Sequence, residues 1–140
     1  MPVTTKSWPK RQNIRTQKFE VSMKLGDIVE HLPAHVVYRC SRFNEIEIEH
    51  VVASDLMSDV LVLDYDNILL VTSLASEQTM RTADIIGARG VLLVNDKNPQ
   101  PAMKKLAEEQ DITLLSTPLS MFEACCSLGK LMGGAWYDKH

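Results

Sequence analysis

Three short apolar runs, each holding a Leu-Leu pair, constrain this 140-residue chain more than any other feature. They are Ile68-Leu69-Leu70-Val71, Val91-Leu92-Leu93-Val94 and Thr113-Leu114-Leu115, with the pairs spaced by 23 and then 22 residues. None alternates with polar residues, as a strand with one wet face would. Runs of about four residues without alternation suit strands buried on both faces. Such strands need helices above and below them, and the gaps between the runs carry helical patterns.

Ser76 to Ile86 reads as a helix that ends at Gly87, a natural residue for a left-handed C-terminal turn. Pro99 to Gln110 places Ala102, Met103, Leu106 and Ala107 on one side, with Lys104/Glu108 and Lys105/Glu109 as i, i+4 pairs on the other. Ser120-Met121-Phe122-Glu123 is a Ser-x-x-Glu capping box. It opens a helix whose expected buried stripe is Met121, Phe122, Cys125, Leu128 and Met132, released by Gly133-Gly134. Nearer the N-terminus, Leu25, Ile28, Val29 and Leu32 form a short amphipathic stripe, with Ser22 as its expected N-cap and Pro33 as its stop. His35 to Tyr38 reads as a short strand, and Glu45 to Glu49 alternates with period two before running into Val51-Val52-Ala53. Strand and helix in turn, joined by short loops, define an α/β fold: a mostly parallel sheet with helices on both faces, built from repeated βα units.

Composition sets the class and the compartment. With 45% apolar and 24% charged residues the chain reads as an ordinary globular domain. No run of about 18 apolar residues offers a membrane span, and the first residues lack the apolar core of a secretory signal. Cys40, Cys125 and Cys126 have neither metal-ligand spacing nor an even count for a disulfide framework, so the cytoplasm is the expected compartment. Residues 1–20 carry Lys6, Lys10, Arg11, Arg15 and Lys18 against Glu20, a net of +4, which leaves −7 on residues 21–140. The expected organisation is a basic, disordered and solvated tail (1–20), one domain (21–134) and a short C-terminal tail (135–140). The basic tail could meet nucleic acid or an acidic partner, but an acidic body is a poor platform for phosphates.

Four strands share one feature at their ends: small polar residues. These are Ser54-Asp55, Thr72-Ser73, Asn95-Asp96 and Ser116-Thr117. In an open α/β sheet, ligands bind outside the carboxyl ends of the strands, near helix N-termini that favour anions. Adjacent strands would bring these groups to one crevice, although such residues also turn the chain and cap helices. In Val52-Ala53-Ser54-Asp55-Leu56-Met57-Ser58-Asp59-Val60, Ser54 or Asp55 is the expected cap of a helix carrying Val60, Leu61 and Leu63. Asp55 and Asp59, one turn apart, could instead serve Mg²⁺ or a phosphate-bound cation. Arg81 could reach an anion from the helix after Ser73, or pair with Glu77 or Asp84 on the surface. His31 and His50 have no ligand partner at a familiar spacing and read as surface or structural. Ser58, Ser73 and Ser116 lack a Gly-x-Ser-x-Gly context, and no glycine-rich phosphate loop occurs.

The runs VVASDLMSDVLVL, LLVTSLASEQTMRTADIIGARGVLLVNDKNP and LLSTPLSMFEACCSLGKL resemble the DRTGG domain family, closest to its small stand-alone members, over roughly residues 23–133. The family is akin to the N-terminal domain of HPr-type serine kinases. Its domain also occurs inside phosphotransacetylases and between the CBS domains of certain pyrophosphatases, outside the catalytic part. The resemblance therefore implies an α/β unit with a regulatory or assembly role. In the CBS pyrophosphatases the adenine nucleotides are held by the CBS pair, so no nucleotide site is implied here. Genes for stand-alone members lie beside iron-hydrogenase or redox genes, which implies a partner in redox or hydrogenase-linked signalling. Ser54, Asp55, Ser58, Asp59, Thr72, Arg81, Thr82, Ser116, Phe122 and Glu123 match the family's recurring positions. Phe122 reads as packing and Glu123 as cap. Where many members have Thr-Gly-Gly after the central strand, this chain has Val94-Asn95-Asp96, which removes the glycines a backbone phosphate cradle would use.

Three functions follow as expectations. The first is a non-catalytic regulatory or ligand-sensing domain, a homodimer, binding a small polar or anionic ligand or a protein partner. Its site residues are Ser54, Asp55, Ser58, Asp59, Thr72, Ser73, Arg81, Asn95, Asp96, Ser116 and Thr117, with no cofactor required. The second is a metal-dependent hydrolase or transferase built on Asp55 and Asp59 with Mg²⁺. The third is a nucleic-acid-binding regulator acting through the basic tail.

Overall fold

The computed structural model describes residues 22–133. In chain order these form β1 (Met23–Lys24), α1 (Leu25–His31), β2 (His35–Tyr38), a 3-10 turn (Phe43–Glu45), β3 (Glu47–Ile48), β4 (His50–Ala53), α2 (Met57–Leu61), β5 (Ile68–Thr72), α3 (Glu77–Ile86), β6 (Gly90–Leu93), α4 (Pro101–Gln110), β7 (Thr113–Ser116) and α5 (Met121–Leu131). The main sheet has the order β2-β7-β6-β5-β4. Strands β4 to β7 are parallel neighbours, and β2 joins β7 antiparallel at one edge. β1 and β3 form a separate two-stranded pair, with Met23 opposite Ile48.

The apolar runs become strands because both of their faces have something to bury against. In β5, Leu69 and Val71 pack with Leu25 and Ile28 of α1 and with Ala124 and Leu128 of α5. Ile68 and Leu70 pack on the other side with Val60 of α2, Met80 and Ala83 of α3, and Met103 of α4. β6 divides the same way, Leu92 to the first side and Val91 with Leu93 to the second. Each such Val, Leu, Ile or Met side chain stabilises the fold by about 1.5–3 kcal/mol through area removed from water. The sheet is thus covered on both faces, by α2, α3 and α4 on one and by α1 and α5 on the other.

Helix ends follow the local chemistry. α3 stops at Gly87 (φ 68°), whose N–H donates to the carbonyls of Ala83 and Asp84. α5 opens with the full capping box: Glu123 N–H donates to Ser120 Oγ at 3.2 Å, and Ser120 N–H to Glu123 Oε1 at 3.0 Å. α4 has no glycine at its end; Asp111 takes the left-handed position itself (φ 56°).

Four local expectations are corrected. Ser22 does not cap α1; Lys24 does, its N–H donating to the Asp27 carboxylate at 3.0 Å. Glu45 to Ala53 is not one strand. Asn67 (φ 53°) presents its carbonyl to two successive amides, those of Glu49 and His50, at 2.9 and 3.3 Å. The shared carbonyl marks a break at Glu49, on one side of which Glu47–Ile48 pairs with β1 and on the other His50–Ala53 with β5. Phe122 is not core: it is 77% exposed, while Ala124, Leu128 and Met132 form the buried line of the last helix. Six residues before Leu128, Phe122 sits roughly 120° around the helix from that line. Neither Ser54 nor Asp55 caps α2, whose N-cap is Leu56 with no side-chain capping bond.

Candidate functional site

The order β4-β5-β6-β7 brings the four polar strand ends to one edge of the sheet as neighbours. There they chiefly hold one another. Asp55, beyond β4, turns toward β5 and accepts from Ser73 N–H at 2.6 Å, Thr72 Oγ1 at 2.9 Å and Ser73 Oγ at 2.8 Å. What burial it has works to raise its pKa. The backbone and hydroxyl bonds from Ser73, the bond from Thr72 and the charge of Lys97 outweigh that and hold the carboxyl below its usual range. Ser54 Oγ accepts the N–H of Leu56 at 3.1 Å in a local turn. The Ser-Asp pair is therefore a strand-to-strand tie.

The other strand ends are braced in the same way. Asn95 N–H donates to Leu119 O at 2.7 Å, and Asp96 N–H to Thr117 O at 3.1 Å. Ser116 Oγ donates to Lys97 O at 3.2 Å, and Thr117 Oγ1 to Pro33 O at 3.0 Å. Asn95 (φ 63°) and Asp96 (φ 54°) are both left-handed, so this chain adopts without glycine the backbone that glycines favour. The two amides at that turn already serve the neighbouring loop. An anion here would meet side chains instead.

Topology picks out one gap along this edge. The helix after β6 lies on one face of the sheet and the helix after β7 on the other, so the loops leaving these two strands part to opposite faces, as they do at the switch points where open α/β sheets bind ligands. Asn95, Asp96 and Lys97 are exposed on one side of that gap, and Ser116 and Thr117 are buried on the other. Lys97 is the residue that sequence reasoning missed. The signal was present as the one cation in Val94-Asn95-Asp96-Lys97, directly after a strand.

The remaining candidates are placed as follows. Asp59 lies in the first turn of α2, and Ser58 beside it is exposed. Arg81 pairs with Glu77 at 3.3 Å on an exposed helix face, a contact of small energy. Among the described residues no group of three or more His, Cys, Asp or Glu is placed to hold a metal ion. His31 Nδ1 lies 2.8 Å from Asp27 O and His50 Nδ1 2.7 Å from Asp66 O, each ring held against a carbonyl. The cysteines are free, and burial together with Cys126 pushes the Cys125 thiol upward, away from a thiolate. No helix among the described residues is long and apolar enough to cross a membrane. At the opposite end of the sheet a cleft of about 210 Å³ is lined by Cys40, Asp84, Arg89, Gln110 and Asp111, among others. Gln110 Oε1 is buried there with no hydrogen-bond partner among the described residues.

These features define a mixed α/β domain with a covered, mostly parallel sheet and a polar switch point. A solved structure has a similar fold: the CBS and DRTGG domains of the regulatory region of Clostridium perfringens pyrophosphatase, complexed with its activator diadenosine tetraphosphate. The TM-score is 0.61 at 15% identity, covering 77% of this chain and 46% of that one, so this chain matches just under half of that region's length. At that identity the likeness is one of fold. No family model matches the chain, and no curated protein matches it.

Proposed function

We propose that this chain is a non-catalytic regulatory domain of DRTGG type that senses a small polar or anionic ligand at the strand-end edge. The observation that carries the reading is the switch point between β6 and β7, with the side chains of Asn95, Asp96 and Lys97 exposed beside it. The bonds from Ser73 N–H to Asp55, from Gln100 N–H to Ala75 O and from Asp96 N–H to Thr117 O together link the loops after all four parallel strands. A ligand held by one loop would therefore stiffen its neighbours, as a sensor requires. The fold is similar to part of a pyrophosphatase regulatory region that is complexed with an activator, which supports a regulatory role; anions are the first ligands to try because Lys97 is exposed among the strand-end side chains. The domain acts in the cytoplasm on a protein partner, and it self-associates. Exposed apolar side chains on the α2 and α3 side, Val62 and Ile85 at 80% and 70%, are the ones such an association would cover.

The test is a titration of the isotope-labelled chain with phosphate, acyl phosphates, nucleotides and small carboxylates, followed by amide shifts. Saturable shifts centred on Asn95–Lys97 and Ser116–Leu119 support the reading. Shifts confined to the cleft at Gln110 would move the site to the other end of the sheet.

A further inference from the structure

Among the described residues, strand β4 ends the sheet and pairs with a strand on one side only. The amides of His50 and Ser54 donate to Asn67 O and Val71 O on the β5 side, at 3.3 and 3.0 Å. The period of two along a strand then turns the N–H and C=O of Val51 and Ala53 away from β5. No proline or formal charge interrupts His50–Ala53, and Ala53 is exposed with Val51 and Val52 half-buried. Exposed edges of this kind are templates for another strand unless something covers them. In the segment that follows β4, Leu56, Leu61 and Val62 are 57%, 43% and 80% exposed.

Charge decides what fits. Residues 45–66, which contain β4 and both of its flanks, carry seven carboxylates and no Lys or Arg. A second copy of β4 would bring the same carboxylates against themselves, whereas a basic segment would be drawn in. Residues 1–20 of the same chain carry five Lys or Arg against one Glu, together with the apolar side chains of Trp8, Ile14 and Phe19. The described chain that follows them starts close to β4 in register. Met23 lies opposite Ile48, and Glu49 alone separates Ile48 from β4. Twenty residues at roughly 3.3 Å each reach many times the length of a four-residue strand. We propose that the open edge of β4 is the docking strand for the chain's own basic segment, residues 1–20. Sequence reading leaves that segment solvated or facing nucleic acid or an acidic partner; the edge of β4 offers an acceptor within the same chain.

Amide hydrogen exchange of the full chain tests this. Val51 and Ala53 are expected to exchange at least tenfold more slowly than free amides, independently of protein concentration. In the variant K6E/K10E/R11E/R15E/K18E that protection is lost, while the buried amides of Leu70 and Leu92 keep theirs, which shows the body intact. Free exchange at Val51 and Ala53 in the unaltered chain overturns the proposal. So does protection that survives the charge reversal, or protection that grows with concentration, which would place a second copy on the edge.

Discussion

Asp55, just past the end of β4, accepts both the backbone N–H and the hydroxyl of Ser73, just past the end of β5, at 2.6 and 2.8 Å. With the bond from Thr72 at 2.9 Å, one carboxylate fastens two parallel strands at the edge where a ligand is expected. A residue that reads as a helix cap in sequence is a cross-strand clasp in the fold.

Replacing Asp55 by Asn removes a charged acceptor from these bonds. Hydrogen bonds to charged groups contribute about 1.5–3 kcal/mol, and Asp55 is exposed enough for solvent to screen it, so a loss of about 1 kcal/mol is expected. Its dependence on pH has a definite sign. The folded pKa is depressed, so the stabilisation is fully present above the unfolded value of about 3.9 and is lost as pH falls through the lower folded value. Urea midpoints of the two proteins should differ by a constant amount from about pH 7 to about pH 5 and converge below about pH 4. A gap that widens in acid contradicts this.

Asn95 tests the left-handed turn beside the switch point. It is exposed at φ 63°, so substitution there changes backbone strain with little change in packing. Asn95→Val should cost about 1–2 kcal/mol and Asn95→Gly next to nothing, read as denaturant midpoints. Equal stability of the two variants would mean the turn is not left-handed.

Tyr38 donates to Asp111 Oδ1 at 2.6 Å. That bond, with smaller contributions from burial and the Asp111 charge, pushes the phenol up to about 12. Asp111→Gly keeps the left-handed end of α4 while removing the carboxylate. A tyrosinate absorbance titration should show one tyrosine moving from about 12 toward about 10. An unchanged titration would mean the pair is not formed.

The last helix separates its wet and dry faces. Phe122→Ser should change stability by no more than about 0.5 kcal/mol, and Leu128→Ala should cost about 2–5 kcal/mol. A large loss at Phe122 in chemical denaturation of the monomer would put that ring back in the core.

What the sequence made legible was decided by short-range chemistry. Leu69-Leu70 and Leu92-Leu93 announce strands covered on both faces, Gly87 marks a helix end, and Ser120 with Glu123 marks a helix start. Each of these signals lies within a few residues of what it determines. The misreadings came from partners farther along the chain. Asp55 finds Ser73 across a strand pair, and Asn67 bends the chain at Glu49 from the next strand over. Phe122 misled for another reason: an aromatic ring at a helix start looks like core until the face chosen by Ala124 and Leu128 is known. The candidate site was legible as a set of strand ends. Its focus was not, because which strand pair forms the switch point depends on the faces taken by α4 and α5, and Lys97 gains its meaning only from that.

The most direct test of the sensing site is the melting temperature of the full chain against rising concentrations of nucleotides and other phosphate compounds, for the unaltered protein and Lys97→Gln. Binding to the folded state raises the melting temperature with ligand concentration above the dissociation constant. A concentration-dependent rise that Lys97→Gln abolishes, with its unliganded melting temperature unchanged, is the predicted result. No rise with any of them, or the same rise in both proteins, would contradict a ligand site at the gap between β6 and β7.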